Sequence, residues 1–270
     1  LPFGIAQIGK AFRNEITPGH FIYRMREFEQ MEQQYFVYPA EAESHFASWK
    51  EKRLQWYIDI GITRAHLRLR PHAKDELAHY ARAAEDIEYK FPFGWHEIEG
   101  IHNRGDWDLS RHSKFSGVAL SEIDPKTRAH FYPYIIETSA GADRAALAFL
   151  ADAYDDSDPA HVVLRLHPRL APYRAAVFPL LRNKPELVQK AKEVHRTLVA
   201  SDQWLGPIAF DDRGNIGKRY FSQDEIGTPF CITVDFDSLE HDDATVRDRD
   251  TGKQKRVKIS KLNEYIAHLC

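Results

Sequence analysis

Phe12-Arg13-Asn14-Glu15, followed past Pro18-Gly19-His20 by Tyr23-Arg24-Met25-Arg26-Glu27-Phe28, is the stretch from which the rest of the chain is read. Residues 3–38 predict strand, loop, strand, with the Pro-Gly pair in the connection. In extended backbone alternate side chains share a face, which groups Arg13 with Glu15, and Arg24 with Arg26 and Phe28. The guanidinium fork suits phosphate, and an aromatic ring beside it can stack a base. The same residues would also make an exposed hairpin with cross-strand ion pairs, and by composition alone that is the simpler account.

Two further segments carry chemistry. Ile136-Glu137-Thr138-Ser139-Ala140-Gly141-Ala142-Asp143-Arg144 predicts a strand Tyr134–Thr138, a small-residue turn Ser139-Ala140-Gly141 and a helix from Ala142 to about Tyr154. Small residues let a ligand approach the backbone, and Arg144 falls in a helical first turn, where anions are favoured. A tight strand–helix turn with a surface Asp143–Arg144 pair is the plainer alternative. In Gly94-Trp95-His96-Glu97-Ile98-Glu99-Gly100-Ile101, alternation places Glu97 and Glu99 on one face, able to hold Mg²⁺ or an amine. Gly100 stands where a zinc-protease pattern starting at His96 would need its second His, and the 14 His residues show no metal-ligand spacing, so no zinc is expected. There is no Walker A or Rossmann glycine pattern, and Asp106 and Asp108 read as turn or capping residues.

The remaining elements are expected at Glu41–Ile60 (helix), Lys74–Ala84 (helix), and Ile87–Phe91 with His96–Ile101 (strands). Beyond the acidic Asp155-Asp156-Ser157-Asp158-Pro159 boundary come strands at Val162–Leu166 and Ala176–Leu180 and a helix at Pro185–Ala200. Strands at Ile208–Phe210, Phe230–Phe236 and Thr245–Asp248 and a helix near Lys261–Leu269 complete a compact α/β module. The 270 residues are 43% hydrophobic and 29% charged, which excludes global disorder. Cys231 and Cys270 cannot form a disulfide scaffold and fit a reducing compartment. No apolar run approaches the roughly 18 residues of a membrane helix. The net charge of −3 divides unevenly: residues 1–160 hold 19 Lys+Arg against 25 Asp+Glu, and residues 161–270 hold 18 against 15. The opening Leu1-Pro2-Phe3-Gly4-Ile5 has no initiator Met, so a segment or a processed chain is expected.

Taken together, these segments resemble the α₂-type glycyl-tRNA synthetases. Phe12–Glu15 through Phe28 is similar to motif 2 of class II synthetases, and Phe28-Glu29-Gln30-Met31-Glu32 continues it in the glycyl form. Glu137–Arg144 resembles motif 3, with Thr138 where the family often carries Pro. Gly94–Ile101 and Asp106-Trp107-Asp108-Leu109 resemble the intervening core. Leu170-Ala171-Pro172 and Asp224–Cys231 resemble the anticodon-binding domain.

The resemblance implies an α+β catalytic core over residues 1–158, an antiparallel sheet with flanking helices lacking its N-terminal part and motif 1. An α/β anticodon-binding domain over 159–270 follows. It implies a cytoplasmic ligase that joins glycine to tRNA-Gly through a glycyl-adenylate, with ATP as substrate and Mg²⁺. The full-length protein is expected to be homodimeric, with no membrane partner. Arg13, Arg24 and Arg144 would be the catalytic arginines. ATP would also meet Asn14, Glu15, Tyr23, Met25, Arg26, Glu27, Phe28, Glu97, Ile98, Gly141, Ala142 and Asp143, with Glu97 the candidate Mg²⁺ ligand. Glycine would meet Phe28, Glu29, Gln30, Met31, Glu32, Glu137, Thr138, Ser139, Ala140 and Gly141. Candidate tRNA contacts in the basic half are Arg165, Arg169, Arg174, Lys218, Arg219, Arg247 and Arg249. Two alternatives stay open. One is a non-catalytic synthetase-like accessory or nucleic-acid-binding protein, such as the polymerase accessory subunit of mitochondria. The other is a related synthetase for proline, threonine or histidine.

Overall fold

In the computed structural model, residues 1–201 and 206–269 are described. They divide into two units, Leu1–Asp152 and Ala153–Cys270. The first is built on a six-stranded antiparallel sheet of order β1-β2-β8-β5-β4-β3. Its strands are β1 (Phe3–Phe12), β2 (Glu27–Val37), β3 (Leu67–Pro71), β4 (Ala83–Phe91), β5 (Gly94–Gly105) and β8 (Tyr134–Gly141). A small ribbon of β6 (Glu122–Ile123) and β7 (His130–Phe131) lies between β5 and β8 in sequence. The helices are α1 (Ala42–Asp59), α2 (Trp107–Ser116) and α3 (Ala142–Ala153).

Alternation along the strands divides the sheet into two faces with different fates. One face is covered by helices. Phe46 and Tyr57 of α1 are buried, and Trp56 and Tyr57 pack on Phe149 of α3. Beneath them Arg53 of α1 donates to both oxygens of Glu99, at 2.6 and 3.0 Å, although Glu99 is only 1% exposed. A buried carboxylate is tolerated because the guanidinium matches it at both oxygens. The other face of the sheet is polar and open.

Between Ile87 and Glu88 of β4 the register with β5 shifts by one residue. Ile87 pairs with Glu99 while Glu88 pairs with Glu97, so Ile98 is the extra residue of a β-bulge. The bulge reverses the alternation, and Glu97 and Glu99 lie on opposite faces. The expected shared carboxylate face is therefore absent: Glu99 serves the helix-covered core and Glu97 alone faces the open side.

Three other expectations change. Lys74–Ala84 is not helical; turns run to Arg82, and Ala83 begins β4. Its residues are good helix formers, and Leu77, Tyr80, Ala81 and Ala84 fall at helical spacing, but other contacts override that pattern. One local and one long-range contact win instead: Glu76 accepts from the Ala73 amide at 2.9 Å, and the Arg82 amide bonds the Asn103 carbonyl at 2.7 Å. Ser139-Ala140-Gly141 is strand rather than turn, because its pairing with Gln30–Glu32 of β2 continues to the first residue of α3. Val162–Leu166 reduces to β10 (Val163–Leu164), paired with β9 (Tyr154–Asp155).

The second unit is a five-stranded mixed sheet of order β12-β11-β13-β14-β15. Here β11 (Ala175–Pro179) is parallel to β12 (Ile208–Phe210) and β13 (Phe230–Val234), and β14 (Asp243–Asp248) and β15 (Gln254–Lys258) continue antiparallel. The helices are α4 (Pro185–Val199), α5 (Ile216–Glu225), α6 (Phe236–His241) and α7 (Leu262–Leu269). Leu187, Ala191, Val194 and Leu198 put the apolar stripe of α4 inward, as their spacing predicts. Ile232, Val246 and Ile266 complete that core, while Phe178 and Cys231 face α5 through Tyr220.

Candidate active site

Arg13, Arg24 and Arg26 do not lie on strands. β1 ends at Phe12 and β2 begins at Glu27, so Arg13, Glu15, Arg24 and Arg26 belong to the loop between them, where alternation does not apply. The loop is organised by its own bonds. The Arg13 amide bonds the Arg26 carbonyl at 2.9 Å, Gly19 and Arg24 form a bridge, and Arg26 donates to the Glu15 carbonyl at 2.9 Å. At its tip His20 and Phe21 hold φ of 53° and 55°, a left-handed pair uncommon for such residues. The His20 ring, stacked 4.3 Å from Phe93, supports that conformation.

The loop closes an open recess of about 520 Å³, lined by Arg13, Glu15, Tyr23, Arg24, Met25, Phe28, Gln30, Glu97, Ser139, Gly141, Asp143 and Arg144. Arg13 stands over the Phe28 ring at 5.4 Å and Arg144 over Tyr23 at 4.2 Å. Arg144 also reaches the Glu97 carboxylate at 3.3 Å, and the Tyr23 hydroxyl donates to the Glu97 carbonyl at 2.9 Å. Burial raises the Tyr23 phenol, against the pull of Arg144, so Tyr23 remains a donor. Arg144 lies in the first turn of α3 and lines the same space. Three guanidinia, three carboxylates and two aromatic rings thus converge from two strands, a loop and a helix start.

Next to it a polar basin spreads over the open face. Gln30, Glu32 and Gln34 of β2 stand opposite Gly141, Ser139 and Glu137 of β8. Gln30 Nε2 donates to Ser139 Oγ at 2.6 Å and to Glu32 at 2.9 Å. Gln34 Nε2 donates to Glu32 and to Glu137, each at 2.7 Å. Glu137 further receives Arg104 at 2.8 Å and faces His102 Nδ1 at 3.3 Å. Burial by itself would raise the Glu137 carboxyl, but His102, Gln34 and the Arg104 charge outweigh it, and the group ends below its ordinary value. Gly100 lines the same basin, which lies between small residues and carboxylates.

Of the expected ATP contacts, Asn14, Arg26, Glu27 and Ala142 stand outside the recess lining, and Ile98 is fully buried as the bulge residue. The expected glycine contacts divide by alternation. Phe28, Gln30, Glu32, Glu137, Ser139 and Gly141 share the open face, whereas Glu29, Met31, Thr138 and Ala140 take the opposite one. Thr138 and Ala140 are buried there, and Glu29, like Glu27, pairs with Lys10. Sequence reasoning missed Gln34, His102 and Arg104. Part of the signal was available, since Gln34 sits two residues along β2 from Glu32 and His102 two along β5 from Gly100, with Arg104 two further on.

In the second unit, three of the seven basic candidates are structural. Arg219 is 2% exposed and donates to the Pro179, Arg213 and Gly214 carbonyls. Arg249 is 5% exposed and bonds the Gly227 and Leu166 carbonyls at 2.8 and 2.9 Å. Arg247 clasps the fully buried Asp224 at 2.8 and 3.0 Å. Buried cations so engaged cannot also meet an RNA phosphate. Arg169 and Lys218 are exposed, and Arg165 is half-exposed but paired with Asp155 and Asp250. Among the described residues no group of three or more His, Cys, Asp or Glu is placed to hold a metal ion. No described helix is long and apolar enough to cross a membrane.

Comparison with known proteins matches residues 1–153 to the family described as "tRNA synthetase class II core domain (G, H, P, S and T)". Residues 174–269 match "Anticodon binding domain". The chain is similar to a protein of Thermobifida fusca named glycine–tRNA ligase, 52% identical over 278 aligned residues, covering 99% of this chain and 59% of that protein. Proteins of the same name from Alkaliphilus oremlandii and Bacillus anthracis are 50% and 51% identical, each covering 98% of this chain and 57% of the relative. The chain thus spans somewhat more than half the length of the curated relatives it matches.

Proposed function

Because the chain belongs to the class II tRNA synthetase family, with a core domain followed by an anticodon-binding domain, we propose that it activates glycine with ATP and transfers it to tRNA-Gly. The observation that carries this reading is the junction of two environments on one sheet face. An arginine-lined recess with an aromatic floor adjoins a basin walled by carboxylates and small residues.

The arginine side suits ATP. Arg13 would meet the α-phosphate, Arg144 the γ-phosphate and Arg24 the outer phosphates, with Phe28 stacking on adenine and Glu15 near its exocyclic amine. Binding has a built-in exchange. Arg144, now on Glu97, would turn to phosphate oxygen, and Arg13 would leave the Phe28 ring for the base to occupy. Glu97 fits Mg²⁺, which takes one or two carboxylates together with substrate phosphates, and no second carboxylate of β5 is needed. When bound, the ion supplies positive charge to the phosphate chain.

The basin suits glycine. Glu32 and Glu137 attract the ammonium, and Ser139 and Gly100 face the α-carbon. With no side chain to grip, selection must act by excluding larger amino acids. The glycine carboxylate oxygen bonds to the α-phosphorus and pyrophosphate leaves. The terminal ribose hydroxyl of the tRNA then bonds to the carbonyl carbon, AMP leaves and the hydroxyl proton is released. Both steps gain from placement and charge neutralisation by these residues.

We extend the proposal to a cytoplasmic homodimer. Support comes from edge strand β1, whose Ile5, Ile8 and Phe12 are 61%, 67% and 72% exposed, an apolar edge of the kind proteins cover. Sedimentation tests the dimer. The function is tested by ATP–pyrophosphate exchange with glycine against alanine, serine and proline. Exchange with glycine alone is expected. None with glycine would overturn the proposal in favour of a nucleic-acid-binding module.

A further inference from the structure

The loop of residues 13–26 carries three arginines but buries little of itself. Tyr23 is its one buried residue, and Ile16 and Phe21 are 94% and 82% exposed. A loop that must be ordered as ligand arrives loses affinity, so what holds it beforehand matters. The turn between β4 and β5 holds it. Phe93 in that turn lies flat between two rings: His20 of the loop tip at 4.3 Å and 14°, and Phe91, the last residue of β4, at 4.8 Å and 7°. Phe91 is 3% exposed and Tyr89 packs edge-on against it at 4.8 Å, so the stack is rooted in the core. Tyr23 stands edge-on to the same rings, 5.4 Å from Phe91 and 5.6 Å from Phe93. The loop therefore meets the turn twice, at its tip through His20 and beside Arg24 through Tyr23. Phe93 touches both; His96 is 5.4 Å from Tyr23 but 6.2 Å from His20, a looser contact.

We propose that Phe93 is a positioning residue for ATP, holding His20 and Tyr23 so that the loop keeps Arg13 and Arg24 over the recess. The inference rests on the ATP reading above and deepens it with a residue outside the recess lining. The left-handed pair at the tip fits this role. Such backbone persists only where contacts compensate for it, and with Phe21 exposed the compensation falls to the His20 stack. The arginines do not pin the loop themselves. Arg24 reaches Glu15 only at 3.8 Å, within the same loop, and Arg13 rests on the Phe28 ring. Arg144 also braces Tyr23, over its ring at 4.2 Å and to its carbonyl at 3.4 Å. On the ATP reading Arg144 turns to phosphate, and the loop is then left to the rings and to the Tyr23 hydroxyl on the Glu97 carbonyl.

The test uses the full chain with Phe93→Leu, Phe93→Tyr, His20→Ala and His20→Phe. Loss of the His20 and Tyr23 ring contacts predicts an ATP KM about 5- to 20-fold higher for Phe93→Leu, with the glycine KM within about twofold. His20→Ala, at an exposed tip, should raise the ATP KM about three- to tenfold in a protein that melts as wild type does. Phe93→Tyr and His20→Phe keep the flat rings and should stay near wild type. On the Phe93→Leu background His20→Ala should add less than about twofold, because its partner is gone. An unmoved ATP KM, parallel rises in both KM values, or a full extra effect on that background would overturn the proposal. Tryptic cleavage after Arg24 and Arg26 reads the loop without ligand: Phe93→Leu must quicken it several-fold, and an unchanged rate refutes the proposal. Absence of glycine-dependent exchange in the wild type, with cleavage quickened, would refute the ATP reading and leave Phe93's hold on the loop standing.

Discussion

Gly100→Ala isolates the crowding on which glycine selection would depend. A Cβ at this position would stand 2.7 Å from Cε1 of His102 and 3.5 Å from its Nε2. Ordinary contact begins at 3.4 Å, so the imidazole must retreat by about 0.7 Å. The Gly100 backbone has no positive φ, so the methyl itself introduces no backbone strain. The ring's Nδ1 is 3.3 Å from Glu137 Oε1, so its retreat changes that approach to the carboxylate. Overpacking of this kind costs about 1–3 kcal/mol of stability, and disturbing a charge-assisted contact costs a further ~1.5–3 kcal/mol of binding. The glycine KM in ATP–pyrophosphate exchange should rise about tenfold or more, while the ATP KM is little changed. A lowered melting temperature with an unaltered glycine KM would refute the reasoning, since the methyl would then have been absorbed without disturbing the carboxylate wall.

Other consequences are as direct. Ser139→Ala removes the hydroxyl that accepts from Gln30 at 2.6 Å, and should weaken glycine use about fivefold with ATP binding intact; equal changes in both Michaelis constants would remove Ser139 from the amino-acid wall. The Glu137 carboxyl is depressed in the folded protein, so its stabilising contribution is present above the unfolded value of about 4.3 and is lost as pH falls through the lower folded value; urea titrations should show Glu137→Gln losing less stability than wild type on acidification. Asp224→Ala leaves Arg247 without its bidentate partner and should cost the second unit about 3–5 kcal/mol, read by denaturant unfolding. Burial pushes the Cys231 thiol up to about 12, so it should resist iodoacetamide at pH 8 until the protein unfolds, as peptide mapping would register.

Much of the architecture was legible because its signals are local. The α1 aromatics recur at helical spacing, the α4 stripe is complete in sequence, and the Pro-Phe-Gly turn separates β4 from β5. The site was legible as a set of residues, Arg13, Phe28, Glu137, Ser139 and Arg144, because their resemblance to known motifs is specific. Which neighbours join them was not. Met31 and Glu32 are adjacent in sequence and equally close to the motif, yet face opposite sides of the sheet. The Lys74–Ala84 segment shows the opposite failure, in which good helical propensity yields to a contact with nearby Arg70 and one with Asn103 on the neighbouring strand.

By itself the sequence determined two structural halves, the arginine and carboxylate inventory of one and the α/β character of the other. Composition, periodicity and motif spacing are properties of neighbouring residues, and these features follow from them. The tertiary structure alone decided the assignment of charge. A single bulge at Ile98 sends Glu97 to the open face and Glu99 to Arg53 in the core. Strand pairing between β2, β8 and β5 brings Gln34, Glu137 and Arg104 into hydrogen-bonding range across 103 and 33 residues of chain. In the second unit, burial converts Arg219, Arg247 and Arg249 from apparent RNA contacts into internal braces. Burial and pairing are set by register, and one residue of register exchanges the faces of a strand.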